Sequence, residues 1–210
     1  MITEVQNLFI SRKSEIEDAI KLLEELEKKT ASVRISAIQK AAITLMLYNL
    51  VEGEITLVFT ILFDHITKVE NFCNLSDKMK TFLLRYHCKR IGNEEDLLDF
   101  MGESKNAHHI SYDDYRKKIR LFSGNLDGKE IREVLEKIGL KLNGSKEFQI
   151  LLKIKEHRND LAHGKCSYLE AGRNYTITDI KDISRNVFKC LASIQKQFND
   201  YIEQQKYMMS

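Results

Sequence analysis

Ala41-Ala-Ile-Thr-Leu-Met-Leu-Tyr48-Asn-Leu-Val-Glu52-Gly-Glu-Ile55-Thr-Leu-Val-Phe59 is the stretch on which the fold turns. Extended in both directions, it sets Ile38, Ala41, Leu45, Tyr48, Glu52, Ile55, Phe59, Leu62, Ile66 and Val69 at alternating steps of three and four. Such steps keep one stripe of side chains on one side of a helix, so the spacing predicts a very long helix packed lengthwise in a bundle. It starts after a break and cap at Thr30–Ser32 and runs to about Asn71. One member of the stripe, Glu52, is wrong for a core.

The rest of the chain extends that reading. There is no proline in 210 residues, where average usage is about 5%; proline breaks helix interiors, so its absence suits long helices. A first helix is expected over Glu4–Lys29, with Val5, Leu8, Phe9, Ile16, Ile20, Leu23 and Leu26 inward. A third is capped by Ser76 and ends near Gly92. Six of the nine glycines then fall in Gly92–Gly144. This region reads as a partly irregular insertion with one clear helix, about Gly128–Ile138, and a short strand around Ile119–Phe122. Ser145 caps a further helix that ends near Gly164, a loop covers Lys165–Tyr175, and Thr176-Ile-Thr-Asp179 opens the last helix through Ile180, Ile183, Val187, Leu191, Ile194, Phe198 and Ile202. The expected fold class is all-α: one domain over 1–210, an up-and-down helical bundle with the insertion at about 92–144.

Composition narrows the function classes. A net charge of +2 marks no global nucleic-acid binder, so any basic surface must be local. No N-terminal stretch has the pattern of a signal peptide. The uncharged runs Ala41–Val51 and Ile55–Phe63 each fall short of the ~20 apolar residues of a membrane span. Cys73, Cys88, Cys166 and Cys190 form no CxxC pair and are expected as buried free thiols in a reducing cytoplasm. His157, His163 and Cys166 lack a fourth partner nearby, so no metal and no cofactor is expected.

Chemistry concentrates in Arg158-Asn159-Asp160-Leu161-Ala162-His163-Gly164. Leu151, Ile154, Arg158 and Leu161 share a stripe, which puts a guanidinium where burial is costly unless it is paired or lines a cleft. Glu52, or Asn49 three residues before it, is the expected orienting partner across the bundle. His163 lies five residues beyond Arg158, about 140° around a continuous helix. Either the helix loosens at Ala162–Gly164, or a second subunit brings its own copy alongside, as two-fold symmetry allows.

Arg-Asn-Asp-Leu-Ala-His resembles the RX4–6H motif of the HEPN superfamily, including the polar residue after the arginine. Tyr48-Asn-Leu-Val-Glu52 in the long helix and His163-Gly164 followed by Arg173-Asn-Tyr-Thr-Ile-Thr-Asp179 fit the same context, which is that of the stand-alone bacterial subfamilies. The resemblance covers the long second helix and Ser145 to about Phe198, and leaves Gly92–Gly144 unplaced. It implies a metal-independent endoribonuclease acting as a toxin or abortive-infection effector in the cytoplasm. Arg158 and His163 would be catalytic, Asn159 supporting and Glu52 auxiliary. The implied partners are an RNA substrate, a second copy completing the active site, and an antitoxin or neighbouring defence protein; no membrane is involved. Two other readings compete: a non-catalytic HEPN-type module binding RNA, nucleotide or a partner, and a purely structural dimerisation domain.

Three further features carry less. Arg116, Lys117, Lys118 and Arg120, flanked by Tyr112 and Tyr115, could supply charge and stacking to RNA, but read first as a solvated face. His108-His109 reads as a surface pair. Tyr168 and Arg173 could lie near the cleft, with Tyr168 expected to pack against the bundle.

Overall fold

The computed structural model describes residues 2–29, 32–88, 104–122, 126–143 and 148–209, with side chains from residue 7 onward. Among them the regular structure is helical: α1 (Ile2–Glu27), α2 (Val33–Ile66), α3 (Asp77–Cys88), α4 (Tyr112–Lys118), α5 (Gly128–Lys137), α6 (Gln149–Ala162), α7 (Tyr168–Arg173) and α8 (Ile177–Glu203). No strand is found among the described residues, and the one β-type pairing is an isolated bridge between Leu75 and Met208. The fold is all-α.

Two compact units divide the chain. The first comprises Met1–Ile55, Asn125–Lys129 and Gly144–Ser193, the second Thr56–Gly124, Glu130–Asn143 and Ile194–Ser210.

The first unit holds α1, the first part of α2, α6, α7 and most of α8. Ile16, Leu23, Leu47, Tyr48, Leu151 and Val187 are fully or almost fully buried in it. Lys40 of α2 pairs with Glu27 of α1, and Lys181 of α8 with Glu24. The start of α8 is a reciprocal cap: the Asp179 carboxylate accepts from the Thr176 backbone N–H at 2.8 Å, and Thr176 Oγ1 accepts from the Asp179 N–H at 3.1 Å. These bonds satisfy donors that a helix start otherwise strands. The segment expected as a loop after His163 holds a short helix, α7, with its own capping box between Ser167 and Glu170. Gly172 in α7 lies against α2; a Cβ there would fall 1.7 Å from the Ala37 carbonyl oxygen.

The second unit is built on aromatic rings. Phe59 stacks on Tyr112 with centroids 5.5 Å apart, and Phe82 on Tyr115 at 5.0 Å. The buried Tyr115 hydroxyl donates to the Phe82 carbonyl at 2.8 Å. Tyr112 and Tyr115 are therefore core residues and not stacking platforms for RNA. Their basic neighbours turn back on the protein: Arg116 pairs with Asp113, Lys117 with Asp114, and Lys118 lies over Tyr86. His108 is fully buried with Nε2 at 2.7 Å from the Val69 carbonyl oxygen, so the expected surface pair reduces to His109.

Several boundaries move. α2 stops at Ile66, short of Asn71, and Ile38 at its start is exposed. The two uncharged runs join into one helix long and apolar enough to cross a membrane, the one such helix among the described residues. Yet 56% of its apolar window is buried inside the protein. Ile43, Leu47, Leu50, Val58, Ile61 and Phe63 are buried besides the stripe, as expected of a helix covered on several faces. Ile119 closes α4 instead of opening a strand. None of the four cysteines forms a disulfide among the described residues, but Cys73 and Cys88 are exposed and Cys166 is half-buried, leaving Cys190 as the buried one. Tyr168 is 43% exposed and does not pack inward. The expected break at Thr30, the end of the third helix near Gly92 and the Ser145 cap lie outside the described residues; α6 starts at Gln149, and the side chain of its N-cap residue Phe148 makes no cap bond.

Two stability measurements check this architecture. Gly172→Ala is expected to lower unfolding stability in urea by about 1–3 kcal/mol, because the added methyl meets backbone and not a movable side chain. Burial holds the His108 imidazole below its ordinary value of 6.5. The unfolded chain then binds more protons, so the contribution of neutral His108 is present above that value and lost as pH falls below it. The urea midpoint should decline between about pH 7 and about pH 5, and less so in His108→Gln.

Candidate active site

Arg158 is half-buried on α6, its guanidinium carbon 4.9 Å from the ring centroid of Tyr48 on α2. Such a cation over an aromatic face is worth about 0.5–2 kcal/mol. Arg158 Nη1 also donates to the Asn159 side-chain oxygen at 3.0 Å. Asn159 thus orients the arginine, and its backbone carbonyl accepts from the His163 N–H at 2.9 Å.

Tyr48 is the residue that sequence reasoning placed in the stripe without giving it a role at the site. Its buried hydroxyl donates to Glu52 Oε1 at 2.8 Å and accepts from the Leu126 N–H at 3.1 Å. Burial first, and then the bond to Glu52, push this hydroxyl up to about 12, so it stays protonated and donating. Glu52 was expected to orient Arg158; the described link runs through Tyr48, whose ring carries the guanidinium while its hydroxyl serves the carboxylate. The signal was present in the sequence, since Tyr48 and Glu52 are one helical step of four apart. Asn49, the other expected partner, is exposed, and its carbonyl oxygen accepts from Arg12 Nη1 at 3.3 Å.

Asp127 joins the same region through the turn after Leu126. Its Oδ1 accepts from the Lys129 N–H at 2.8 Å, capping α5, and its Oδ2 receives Lys155 of α6 at 2.6 Å. With side chains only 12% and 21% exposed, this pair ties the turn beneath the Arg158 helix.

His163 is exposed at the C-cap of α6. The helix does not loosen before it, because the His163 N–H keeps the regular bond to Asn159. It ends instead in a Schellman motif: Gly164, at φ +66°, donates to the Leu161 carbonyl, and Lys165 donates to that of Asp160. Glycine is the residue that adopts this left-handed turn without strain. A regular helix through His163 leaves its side chain about 140° around from Arg158. Within one chain the two motif residues are therefore not brought to one point.

His157, the residue before Arg158, points another way. It is only 8% exposed, and among the described residues neither of its buried ring nitrogens has a hydrogen-bond partner. Its ring meets Tyr175 edge to face at 5.3 Å. Burial holds the imidazole below its ordinary value, with Asp160 opposing. Among the described residues no group of three or more histidine, cysteine or acidic side chains is arranged to hold a metal.

The family described as HEPN_MAE_28990-like HEPN matches residues 1–207. At the level of the superfamily, HEPN domains are of ribonuclease and defence type. No curated protein and no solved structure matches the chain.

Removing one oxygen tests the Tyr48 node. Tyr48→Phe keeps the ring under Arg158 but leaves the buried Leu126 N–H without its acceptor, and should lower stability by about 1–3 kcal/mol. Glu52→Gln, whose amide oxygen still accepts from Tyr48, should cost distinctly less in the same urea titration.

Proposed function

The chain belongs to the HEPN_MAE_28990-like HEPN family, and on that premise we propose that it is a metal-independent endoribonuclease acting as a toxin or abortive-infection effector in the cytoplasm. The observation that carries this reading is the pair of settings found on α6: a half-buried Arg158 held by Tyr48 and Asn159, and an exposed His163 at the helix end.

RNA supplies its own nucleophile. The 2′-hydroxyl loses its proton and attacks the adjacent phosphorus, the bond to the 5′-oxygen breaks, and that oxygen takes up a proton. The products are a 2′,3′-cyclic phosphate and a 5′-hydroxyl. His163 acts as the general base or acid, the role that histidine most often fills in proton transfer. The planar fork of Arg158 holds two non-bridging oxygens as charge builds on the phosphorane. Asn159 keeps that fork in place, and Glu52 acts through Tyr48 as a positioning group.

The angular offset between Arg158 and His163 makes the active site composite. Two copies related by a two-fold axis would set Arg158 of one beside His163 of the other, across a self-complementary contact of their α6 helices.

Growth arrest on induced expression, with total RNA from the same cultures mapped for new 5′-hydroxyl ends, tests the chemistry. Wild type should arrest and produce such ends; His163→Ala should cut their rate by about 10²–10⁴-fold and Arg158→Ala by about 10²–10³-fold. Co-expressing the two inactive variants should restore ends, because a mixed dimer recovers one intact Arg158–His163 pair; no restoration means that the site is not shared between copies. Cleavage of an all-deoxy substrate, or loss of activity with a chelator, contradicts the mechanism. Absence of both arrest and ends moves the assignment to a non-catalytic binding module.

A further inference from the structure

Gly53 stands in the interior of α2, far from either end of Val33–Ile66. Glycine weakens a helix interior relative to alanine, because it has more conformational freedom to lose. The space left by its missing side chain is filled by Arg12 of α1. A Cβ at Gly53 would overlap Arg12 Nη1 and crowd Cζ at 3.1 Å. The glycine is a notch that admits a guanidinium.

Packing gives that guanidinium little to do. Nη1 donates to the Asn49 carbonyl at a long 3.3 Å, and in a regular helix the same carbonyl already accepts from the Gly53 N–H. The arginine therefore rescues no stranded acceptor. Among the described residues no carboxylate pairs with it, although Lys13 and Lys21 on the same helix have Glu17 and Asp18. Glu52, the residue before the glycine, receives the Tyr48 hydroxyl instead. Arginine carries five donors in a planar fork that matches two oxygens of a phosphate. Arg12 is half-buried, held in place, and has most of that fork to offer. A positioned cation without a counter-charge is a site for an anion.

Its surroundings say which anion. α2 carries Tyr48 and Glu52 on one line and Asn49 and Gly53 on the next, about 100° around. Arg158 lies over Tyr48 at 4.9 Å, and Arg12 lies on Gly53. Arginines from α6 and α1 thus meet one turn of α2 from two sides. On a helix about 10–12 Å across, those two lines are about 8 Å apart. Phosphates of a stacked strand advance about 3.4 Å per nucleotide. A strand with one phosphate on Arg158 therefore brings another to Arg12 two or three nucleotides along.

We infer that Arg12, seated in the Gly53 notch, binds a flanking phosphate of the RNA whose scissile phosphate is held by Arg158. The role rests on the ribonuclease reading; the binding of a single-stranded polyanion does not. The contact is to the backbone and carries no base preference. It adds affinity, so its loss is read in KM and not in kcat.

A 2′-O-methyl oligoribonucleotide keeps the phosphates but has no 2′-hydroxyl to attack, so it reports binding by the full chain without cleavage. Its affinity is measured by fluorescence anisotropy over a range of salt for wild type, Arg12→Gln, Gly53→Ala and Lys117→Gln. The last is a control at an exposed lysine paired with Asp114. Arg12→Gln should weaken binding about tenfold. It should also reduce the slope of log K against log salt by about 0.7, the value of one phosphate on a single strand. Gly53→Ala should lose affinity likewise while its urea midpoint holds or rises, since alanine favours the helix and only the flexible end of Arg12 has to move. Lys117→Gln should change neither quantity. An unchanged slope in Arg12→Gln, an equal loss in Lys117→Gln, or full affinity in Gly53→Ala overturns the inference. A lower urea midpoint in Gly53→Ala makes Arg12 a packing residue and overturns it too.

Unmodified RNA, cut by the purified chain, separates this contact from the chemistry. KM should rise about tenfold in Arg12→Gln with kcat unchanged. Cutting with an unmoved KM removes Arg12 from the substrate path and leaves the ribonuclease reading intact. Arg12-dependent binding by a wild type that makes no 5′-hydroxyl ends keeps the phosphate contact and removes the ribonuclease reading.

Discussion

The Tyr48 hydroxyl is the contact on which the candidate site depends. It accepts from the backbone of Leu126, donates to Glu52, and belongs to a ring that carries the Arg158 guanidinium. One side chain thus fixes a turn, a carboxylate and a cation. A buried polar node of this kind costs free energy unless every member is satisfied, and once satisfied it permits a single arrangement. The ion pair between Asp127 and Lys155 closes the same loop from the other side of the turn. Arg158 can stand on an apolar stripe because an aromatic face and an amide receive it there.

Helix regularity is the second constraint. α6 keeps its hydrogen bonding through His163 and then stops abruptly at Gly164. A looser end would have let one chain gather its own arginine and histidine. The Schellman turn instead leaves the imidazole exposed at the helix end. The same regularity points His157, Arg158 and His163 in three different directions around the helix.

The second unit rests on a different kind of cohesion. Phe59, Phe63, Phe82, Tyr112 and Tyr115 interlock as stacked and tilted rings, and the Tyr115 hydroxyl finds the Phe82 carbonyl. The glycine-rich stretch 92–144 reads as a partly irregular insertion with one clear helix, and that helix is α5 (Gly128–Lys137). Its described parts also contribute the core aromatics Tyr112 and Tyr115, and the basic residues of α4 turn towards neighbouring carboxylates and rings.

What the sequence determined by itself is local. The three-four stripes, the cap at Thr176 and Asp179, the glycine stop after His163 and the run from Arg158 to His163 all depend on residues within a turn or two of each other. Helical geometry converts such spacings directly into faces and ends, which is why the all-α class and the position of the motif could be read from letters alone. Tertiary structure decided everything that required a partner distant in the chain. Tyr48 and Leu126 are 78 residues apart, and no periodicity marks which tyrosine will receive a guanidinium on its face. Burial of Tyr112, Tyr115 and His108, exposure of Cys73 and Tyr168, and the orphaned nitrogens of His157 follow from what packs over each side chain. That is a property of the folded assembly of helices and not of any one of them.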